Sequence, residues 1–358
     1  MKIFSSISKW FYYWLVLPLT LGFCGVQSWL WWSWLISPPA QSTTVSEENA
    51  LVQIQIPPGT AAQQIGNDLE TAGLIRSAFA WKLWSRWLAR TTGGGGFKAG
   101  TYEISPSQSL PEVAEQIWQG KVIQLNFTIP EGWSIRQMAN YFESIGFFSA
   151  EEFIAATKEI PYEQYSWLPQ NLPHLEGFLY PDTYKLPSDS ITPQQVINTM
   201  LSSFEKVALP IYQEGKDKTN LNLLEWATLG SIVEKEAVVP KERRLIAGVF
   251  TERLRKGMRL ETDPTVEYGL GIQQTADQPL TYAQVGTPSP YNTYLNPGLP
   301  PTPIAAPGKA SLDATLNPEE TEYLFFVARY DGTHVFSKTL KDHEAARDAI
   351  RQQRNSQQ

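Results

Sequence analysis

Two glutamates separated by one lysine are the first candidates for chemistry in this sequence. The stretch SIVEKEAVVPKE contains Glu234 and Glu236, two residues apart. On a helix such residues point about 200° apart, so the two carboxylates cannot share one task. Ile232 and Leu229 lie one and two turns before Glu236 and continue its face as an apolar stripe. We therefore expect Glu236 to be desolvated and Glu234 to lie on another face.

A carboxylate on an apolar stripe is neutral, paired, or placed there for chemistry, because desolvating the charged form is costly. Desolvation raises the pKa of a carboxyl group, which suits a general acid near neutral pH. Buried structural carboxylates have the same sequence signature. Lys235 would oppose the shift if it faced the same way, but its offset by one residue predicts that it points elsewhere. Spacing alone leaves a catalytic and a structural role open for Glu236.

Three further segments combine Pro, Gly, Tyr, Asn, Asp and Thr without a helical or strand period. They are EGFLYPDTYKL, LETDPTVEYGLG and SPYNTYLNPGLPPTPIAAPG. This composition is typical of fixed loops, and carbohydrate-binding clefts use such loops to stack on sugars and to hydrogen-bond them. Loops that only pack over a sheet have the same composition, so both readings stay open.

Composition limits the classes of function. The chain has 358 residues and a formal net charge of −7, which argues against a non-specific nucleic-acid binder with its basic face. Its length allows two domains. The single cysteine, Cys24, lies in an apolar segment, so we expect no disulfide. His174, His334 and His343 do not cluster along the chain, and we expect no metal and no cofactor.

The N-terminal segment predicts a membrane anchor. The run from Trp10 to Ser46 has no charged residue and exceeds the roughly 20 residues that span a bilayer. No small-residue cleavage pattern follows it, which favours a retained anchor over a signal peptide. Lys2 and Lys9 precede the run, and Glu47 and Glu48 follow it, so the positive-inside rule predicts a cytoplasmic N-terminus. Its length and an internal proline leave a kinked or partly interfacial segment open.

Local signals predict the elements around these residues. Between residues 51 and 125 two strands and three helices are expected, the last helix with Ser109 as N-cap, Pro111 near its start and Gly120 as its stop. This module resembles the LysM-like unit of peptidoglycan-binding proteins. The helix ending in EKE is followed by a second helix that begins at Pro240. Near the C-terminus, Asp331-Gly332 predicts a two-residue hairpin turn.

Five motifs resemble the MltG (YceG-like) family of endolytic murein transglycosylases, in the same order and over nearly the whole chain after the anchor. They are TIPEGWS, EGFLYPDTY, SIVEKEA, RLRKGMRLETDPTVEYGLG and YNTYLNPGLPPTPIAAPG. The resemblance implies a single-pass inner-membrane protein whose periplasmic domain cleaves nascent glycan strands and leaves 1,6-anhydro-N-acetylmuramic acid ends. It also implies that the second glutamate of EKE, Glu236, is the catalytic acid.

The resulting prediction is an α+β protein with a transmembrane helix, a small LysM-like αβ subdomain and a larger mixed α/β catalytic domain. The substrate-binding candidates are Glu176, Thr262, Asp263, Tyr291, Asn292 and Tyr294, whereas Glu131 and Asp182 are read as loop-capping carboxylates. The expected organisation is 1–9 cytoplasmic, 10–36 transmembrane, 37–50 linker, 51–125 LysM-like, 126–348 YceG-like catalytic and 349–358 disordered.

Two other functions remain open at this point. A conventional hydrolase of the same polymer would need a second carboxylate, for which Asp263 or Glu176 are the nominees. A non-enzymatic tether would use the LysM-like unit to bind glycan and the larger domain to recruit partners. The expected partners are peptidoglycan glycan strands, peptidoglycan synthases at the membrane and the lipid bilayer, with no nucleic acid.

Overall fold

The structure is a computed structural model that combines helices and short strands, which confirms the mixed α/β class predicted from the sequence. The charges that set the predicted topology, Lys2, Lys9, Glu47 and Glu48, lie outside the described residues. The described residues are 12–39, 51–187, 191–275, 278–329 and 331–357.

The first helical segment is long and apolar. A π-helical turn at Tyr12–Val16 leads directly into helix α1, Leu17–Ile36, with Pro18 in its first turn. A proline removes one backbone donor and favours such a local change of winding. The 23 residues of Trp14–Ile36 are long and apolar enough to cross a membrane. Within the described part of the chain, one helix long and apolar enough for the purpose therefore stands where the anchor was predicted.

The chain divides into two compact units. The first unit comprises Met1–Leu125 with Lys185–Ser190, and the second comprises Asn126–Tyr184 with Ile191–Gln358. After α1, the elements of the first unit are β1 Val52–Ile56, α2 Ala62–Thr71, α3 Ala78–Thr91, β2 Gly100–Ile104 and α4 Leu110–Gln119.

Strands β1 and β2 pair antiparallel and carry the apolar face on which the helices of the first unit pack. Val52 pairs with Ile104 at one end and Ile56 pairs with Gly100 at the other. Alternation along β2 buries Tyr102 and Ile104 on the inner face. The core also contains Ile65, Leu69, Trp81, Val113 and Ile117.

Helix α4 begins and ends as its sequence predicts. Ser109 and Glu112 form a capping box, in which the Ser109 N–H donates to the Glu112 carboxylate at 2.7 Å. Gly120 ends the helix at φ +73°, a left-handed conformation that favours glycine. The predicted cap and stop are confirmed.

Helix α8, Leu223–Glu236, lies at the centre of the second unit. Asn222 and Glu225 cap its start, and every residue from Trp226 to Val233 is buried. Gly230 allows helix α12, Lys309–Leu316, to approach closely, since a Cβ there would lie 2.9 Å from Leu312. The helices of this unit are α5 Ile135–Ser144, α6 Ala150–Ala156, α7 Pro193–Gly215, α8 Leu223–Glu236, α9 Arg243–Arg255, α10 Asp263–Leu270, α11 Tyr282–Val285, α12 Lys309–Leu316 and α13 Leu340–Gln357.

The remaining strands form two-stranded sheets. Strand β3, Gln124–Thr128, pairs with β4, Thr183–Pro187. Strand β5, Phe325–Ala328, pairs antiparallel with β6, His334–Ser337. The Arg329 N–H donates to the Thr333 carbonyl, and five residues, 329–333, connect the strands, more than the two predicted.

Two more expectations are corrected by α9 and α13. A 3₁₀ turn, Pro240–Glu242, precedes α9, which therefore begins at Arg243. The tail 349–358, expected to be disordered, continues as helix to Gln357. Its Ala, Arg and Gln residues are good helix formers, and the Thr339 hydroxyl accepts the Asp342 N–H near the start of α13.

Candidate active site

Glu236 is the last residue of α8, and its carboxyl group is the strongest candidate for a catalytic acid. The Thr262 hydroxyl donates a hydrogen bond to Glu236 Oε1. Burial raises the pKa of Glu236 to about 7, and the carboxylates of Asp263 and Glu267 add to that rise. The Thr262 hydrogen bond and the Lys235 charge oppose it. Near neutral pH Glu236 is therefore present in both the acid and the carboxylate form.

Thr262 is fixed by the backbone that leads into α10. Its N–H donates to Thr293 Oγ1 at 3.1 Å, and Thr293 Oγ1 lies 2.8 Å from Thr265 Oγ1. The preceding residue, Glu261, has φ +50°, an unusual conformation for a residue with a side chain. The Glu261 N–H donates to the Thr293 carbonyl and holds that conformation. This local strain aims the Thr262 hydroxyl at Glu236.

A buried arginine also holds the turn at residues 259–261. Arg253 of α9 donates to the carbonyls of Arg259 at 3.0 Å and Leu260 at 2.8 Å, and also to the Glu261 carboxylate at 3.3 Å. Its Nε donates to the Leu324 carbonyl. Arg253 is buried, and its hydrogen bonds hold residues 259–261 in place.

Asp263 and Tyr294 form a pair beside Glu236. The Tyr294 hydroxyl donates to Asp263 Oδ1 at 2.7 Å. Burial raises the pKa of the Tyr294 phenol, and the neighbouring Asp263 charge raises it further, so the phenol remains a donor. Tyr294 thus fixes the carboxylate that adds to the pKa shift of Glu236.

Asn292 holds the loop and offers no free group. Its Nδ2 donates to the carbonyls of Val285 and Thr287 at 2.8 and 2.9 Å, while its Oδ1 accepts the Tyr294 N–H at 2.9 Å. The side chain is buried. The Asn292 amide is therefore engaged entirely by the backbone of its own loop.

Glu176 is a second carboxyl group with a raised pKa. Only 2% of the residue is exposed. It accepts the Ile135 N–H at 3.0 Å and the Tyr268 hydroxyl at 3.0 Å. Burial raises its pKa to about 8, although both hydrogen bonds lower it. The next residue, Gly177, is left-handed at φ +81°, and a Cβ there would meet Pro303 at 2.3 Å.

Glu176 lines a cavity of about 520 Å³ in the second unit, next to the Glu236 site. Lys235 and Glu267 also line it, but the Glu236 carboxyl does not. Lys235 thus lines a cavity that the Glu236 carboxyl does not, although its charge still lowers the pKa of Glu236. Tyr291 contributes a ring 4.8 Å from that of Tyr268, and its hydroxyl lies 2.8 Å from Thr302 Oγ1. Other lining residues are Ser134, Arg136, Gln137, Asn140, Lys158, His174 and Gln273.

Glu234 is structural and not solvated. Only 8% of its side chain is exposed, and it lies 3.9 Å from the Arg243 guanidinium. Its Oε2 accepts the N–H of Gly308, the residue before α12, at 3.0 Å. A carboxylate at the start of a helix also interacts favourably with the helix dipole. The simple contrast between an apolar and a polar face of α8 is therefore wrong, because both glutamates are withdrawn from solvent.

The sequence reading missed Glu267 and Tyr268 as site residues. Both belong to the quoted segment LETDPTVEYGLG. The i, i+4 spacing of Asp263 and Glu267 on a helix was the available signal, because it places two carboxylates on one face. Asp182, read as a loop cap, does accept the Thr183 N–H at 2.7 Å. Among the described residues, no three His, Cys, Asp or Glu side chains form a group that could hold a metal ion.

Comparisons with known proteins agree on one family. The model of the YceG-like family matches residues 54–349. A Bacillus subtilis (strain 168) protein named endolytic murein transglycosylase is 31% identical over 84% of this chain and 85% of its own length. A Streptococcus pneumoniae (strain D39) protein of the same name is 30% identical over 82% of this chain, which spans only 57% of that longer protein.

A solved structure is also similar. The 2.6 Å crystal structure of a yceG-like protein from Listeria monocytogenes matches with a TM-score of 0.57 and 32% sequence identity. The match covers 82% of this chain and 98% of the Listeria chain.

The buried Glu176 predicts a pH-dependent stability. Between about pH 4.5 and 8 the folded state retains a proton that the unfolded chain has released, so stability falls as the pH rises through this window. Glu176→Gln cannot titrate. The free energy of unfolding of the wild type minus that of Glu176→Gln should therefore be smaller at pH 8.5 than at pH 5, as measured by urea unfolding. Glu205→Gln, at an exposed position of α7, should keep the wild-type profile. An unchanged profile in Glu176→Gln would show that Glu176 is ionised across the range.

Proposed function

The chain belongs to the YceG-like family, and we propose that it is an endolytic murein transglycosylase that cleaves the bond from N-acetylmuramic acid to N-acetylglucosamine in peptidoglycan. The observation that carries the mechanism is one desolvated carboxyl group, Glu236, with a pKa near 7 and a hydroxyl donor on Oε1. A lytic transglycosylase requires a group that first gives and then takes the same proton. A pKa near the working pH suits both steps.

The first step is protonation of the leaving group. Neutral Glu236 donates its proton to the glycosidic oxygen, and the bond from that oxygen to C1 of the muramic acid ring breaks with an oxocarbenium-like transition state. The N-acetylglucosamine strand leaves with a new 4-hydroxyl group. Glu236 is now a carboxylate, and the Thr262 hydroxyl stabilises that charge through its hydrogen bond.

The second step closes a ring within the substrate. The C6 hydroxyl of the same muramic acid attacks C1, and its proton passes to the Glu236 carboxylate. The product carries a 1,6-anhydro bridge, and the enzyme is returned to its starting form. No water is consumed, so no second carboxylate is needed to activate one.

The two candidates for a hydrolytic base are already engaged in other hydrogen bonds. With a pKa of about 8, Glu176 is mainly neutral at neutral pH and its lone pairs accept from Ile135 and Tyr268. A neutral acid is a poor base for water. The carboxylate of Asp263 is engaged by Tyr294. These contacts argue against activation of water by either residue, and favour the transglycosylase over the hydrolase.

The cavity beside Glu236 is the proposed place for the glycan strand. It has aromatic rings at Tyr268 and Tyr291, on which a sugar ring can stack. Gln137, Asn140 and Gln273 supply amide groups for sugar hydroxyls. In this proposal Glu176 and Tyr291 contact substrate, while Thr262, Asp263, Asn292 and Tyr294 position the acid and its loop.

The proposal also covers the organisation of the chain. Residues 10–36 anchor it in the plasma membrane with the N-terminus in the cytoplasm. Residues 51–125 form a LysM-like glycan-binding subdomain, and residues 126–348 form the catalytic domain on the outer side. The support is the single long apolar helix, the β–α–α–β order of the first unit and the family membership. Synthases that extend the same strands are the proposed partners.

Glu236→Gln should abolish cleavage of purified murein while the fold is retained. Glutamine is nearly isosteric but cannot donate and recover a proton, so a rate loss of about 10² or more is expected. Glu234→Gln is the matched control, because its amide oxygen can still accept the Gly308 N–H. Release of muropeptides is the measurement. Equal losses in the two variants would contradict the assignment of Glu236.

Asp263→Asn should shift the pH dependence of cleavage. Besides burial, the Asp263 charge raises the pKa of Glu236, so its removal lowers that pKa. Cleavage needs the acid form at the start, and its alkaline limb should move to lower pH. Tyr294→Phe retains the Asp263 charge and serves as the control. A pH–rate profile unchanged in Asp263→Asn would mean that the Asp263 charge does not affect the pKa of Glu236.

New ends should contain no oxygen from solvent. An intramolecular hydroxyl held in near-attack geometry has an effective molarity on the order of 10⁵ M, against about 55 M for water. Mass analysis of a digest in ¹⁸O-labelled water should therefore find unlabelled 1,6-anhydro ends. Labelled reducing ends would identify a hydrolase and redirect attention to Asp263 and Glu176. Absence of any product would support the non-enzymatic tether.

Protease added to intact spheroplasts should remove most of the chain. The predicted topology leaves only the residues up to about Ile36 protected, because the run from Trp10 to Ser46 is uncharged and lysines precede it. Immunoblotting with N-terminal and C-terminal tags measures the outcome. A catalytic domain resistant in intact spheroplasts but sensitive after lysis would reverse the topology.

A further inference from the structure

Helix α3 of the first unit exposes a stripe of large apolar side chains. Phe79, Leu83 and Trp87 are 56%, 39% and 52% exposed. They are spaced i, i+4, i+8 and so lie along one line of the helix surface. The opposite side of α3 is buried through Ala78, Trp81 and Ser85 in the first unit. Three aligned apolar side chains in water are a costly feature unless they meet a partner.

The same exposed side of α3 is basic. Lys82, Arg86 and Arg90 are exposed and alternate with the apolar stripe, and α3 contains no acidic residue. A helix with Phe, Leu and Trp beside Lys and Arg is typical of helices that lie in the headgroup region of a bilayer. The basic side chains would meet anionic headgroups there. The charge pattern therefore favours a lipid surface over an apolar protein groove.

The end of α1 is packed onto this unit. Leu35 is buried in the core of the first unit, with Trp32 and Ile36 packed against it. The Arg76 guanidinium lies 5.0 Å from the ring of Trp34 and donates to the Pro38 carbonyl at 2.6 Å. Arg76 directly precedes Ser77, the N-cap of α3. The start of α3 is thus held against the end of the apolar helix.

Tryptophans are frequent both at the end of α1 and on α3. Trp29, Trp31 and Trp34 are exposed on the last two turns of α1. On α3 the rings of Trp84 and Trp87 lie 4.8 Å apart. Tryptophan prefers the boundary between the apolar bilayer interior and water. The tryptophans of α1 lie where that helix would leave the bilayer, and those of α3 suit the same boundary.

We propose that α3 lies flat on the outer surface of the bilayer that α1 spans, with Phe79, Leu83 and Trp87 inserted and the basic side chains against anionic headgroups. The proposal rests on the proposed membrane anchor. It makes the small unit a membrane-seated body held at two places, by α1 and by α3. A second copy of the chain or another protein covering the stripe would be the competing result of the test.

The test uses spin labels on the full chain in vesicles of phosphatidylcholine and phosphatidylglycerol. Leu83→Cys in a Cys24→Ser background carries a nitroxide on the stripe, and Gln55→Cys on the exposed face of β1 carries the matched control. The wild-type chain labelled at Cys24 reports on the anchor. Accessibility to oxygen, relative to a water-soluble nickel chelate, should be several-fold higher at positions 83 and 24 than at position 55.

The outcomes distinguish the proposal for α3 from the proposal that α1 is a membrane anchor. A bilayer signal at position 24 together with an aqueous signal at position 83 overturns the α3 proposal and keeps the anchor. Aqueous signals at both positions overturn both. Shielding of position 83 from oxygen and nickel alike indicates a protein partner and overturns the lipid assignment.

A charge test adds a second readout. Arg86→Glu with Arg90→Glu should reduce the oxygen-to-nickel ratio at position 83 several-fold in vesicles that contain phosphatidylglycerol. Arg86→Lys with Arg90→Lys retains the charge and should preserve the ratio. An equal ratio in both pairs of variants would overturn the role of the basic side chains.

Discussion

The hydrogen bond from the Thr262 hydroxyl to the desolvated Glu236 carboxyl is the interaction on which the second unit is organised. Burial without that donor would leave Glu236 a neutral acid that ionises poorly, because the charged form would lack a partner. If Glu236 kept this donor but were fully solvated, its pKa would fall toward that of an ordinary carboxyl group. The opposed effects of burial and hydrogen bonding place the pKa near 7 and make the proton exchangeable in both directions.

The surrounding residues hold Thr262 rigidly in place. The strained conformation of Glu261 persists because Thr293 and Arg253 hold the turn from two sides. Tyr294 in turn fixes Asp263, the carboxylate that keeps the pKa of Glu236 high. These residues lie on different segments that only the folded chain brings together. They act on the proton of Glu236 without any need to touch the substrate.

In the proposed mechanism a single carboxyl group suffices, so the site needs no base to activate water. The other carboxyl groups near α8 are occupied, Glu234 by the N–H of Gly308 and Glu176 by Ile135 and Tyr268. A substrate that supplies its own nucleophile needs only an acid and a surface that holds its ring. A membrane-seated first unit would present such an enzyme to strands that are still close to the bilayer.

The sequence alone determined the features that depend on neighbouring residues: the caps of α4, the apolar span, and the placement of Glu234 and Glu236 on different faces of α8. Tertiary structure decided the rest, since the middle of α8, Trp226–Val233, is buried and the residues at its end meet distant segments. Glu234 meets Gly308, Lys235 lines the cavity, and Asn292 donates to backbone carbonyls of its own loop. Helical periodicity assigns a direction to a side chain, but where a helix is buried the partner of that side chain depends on long-range packing.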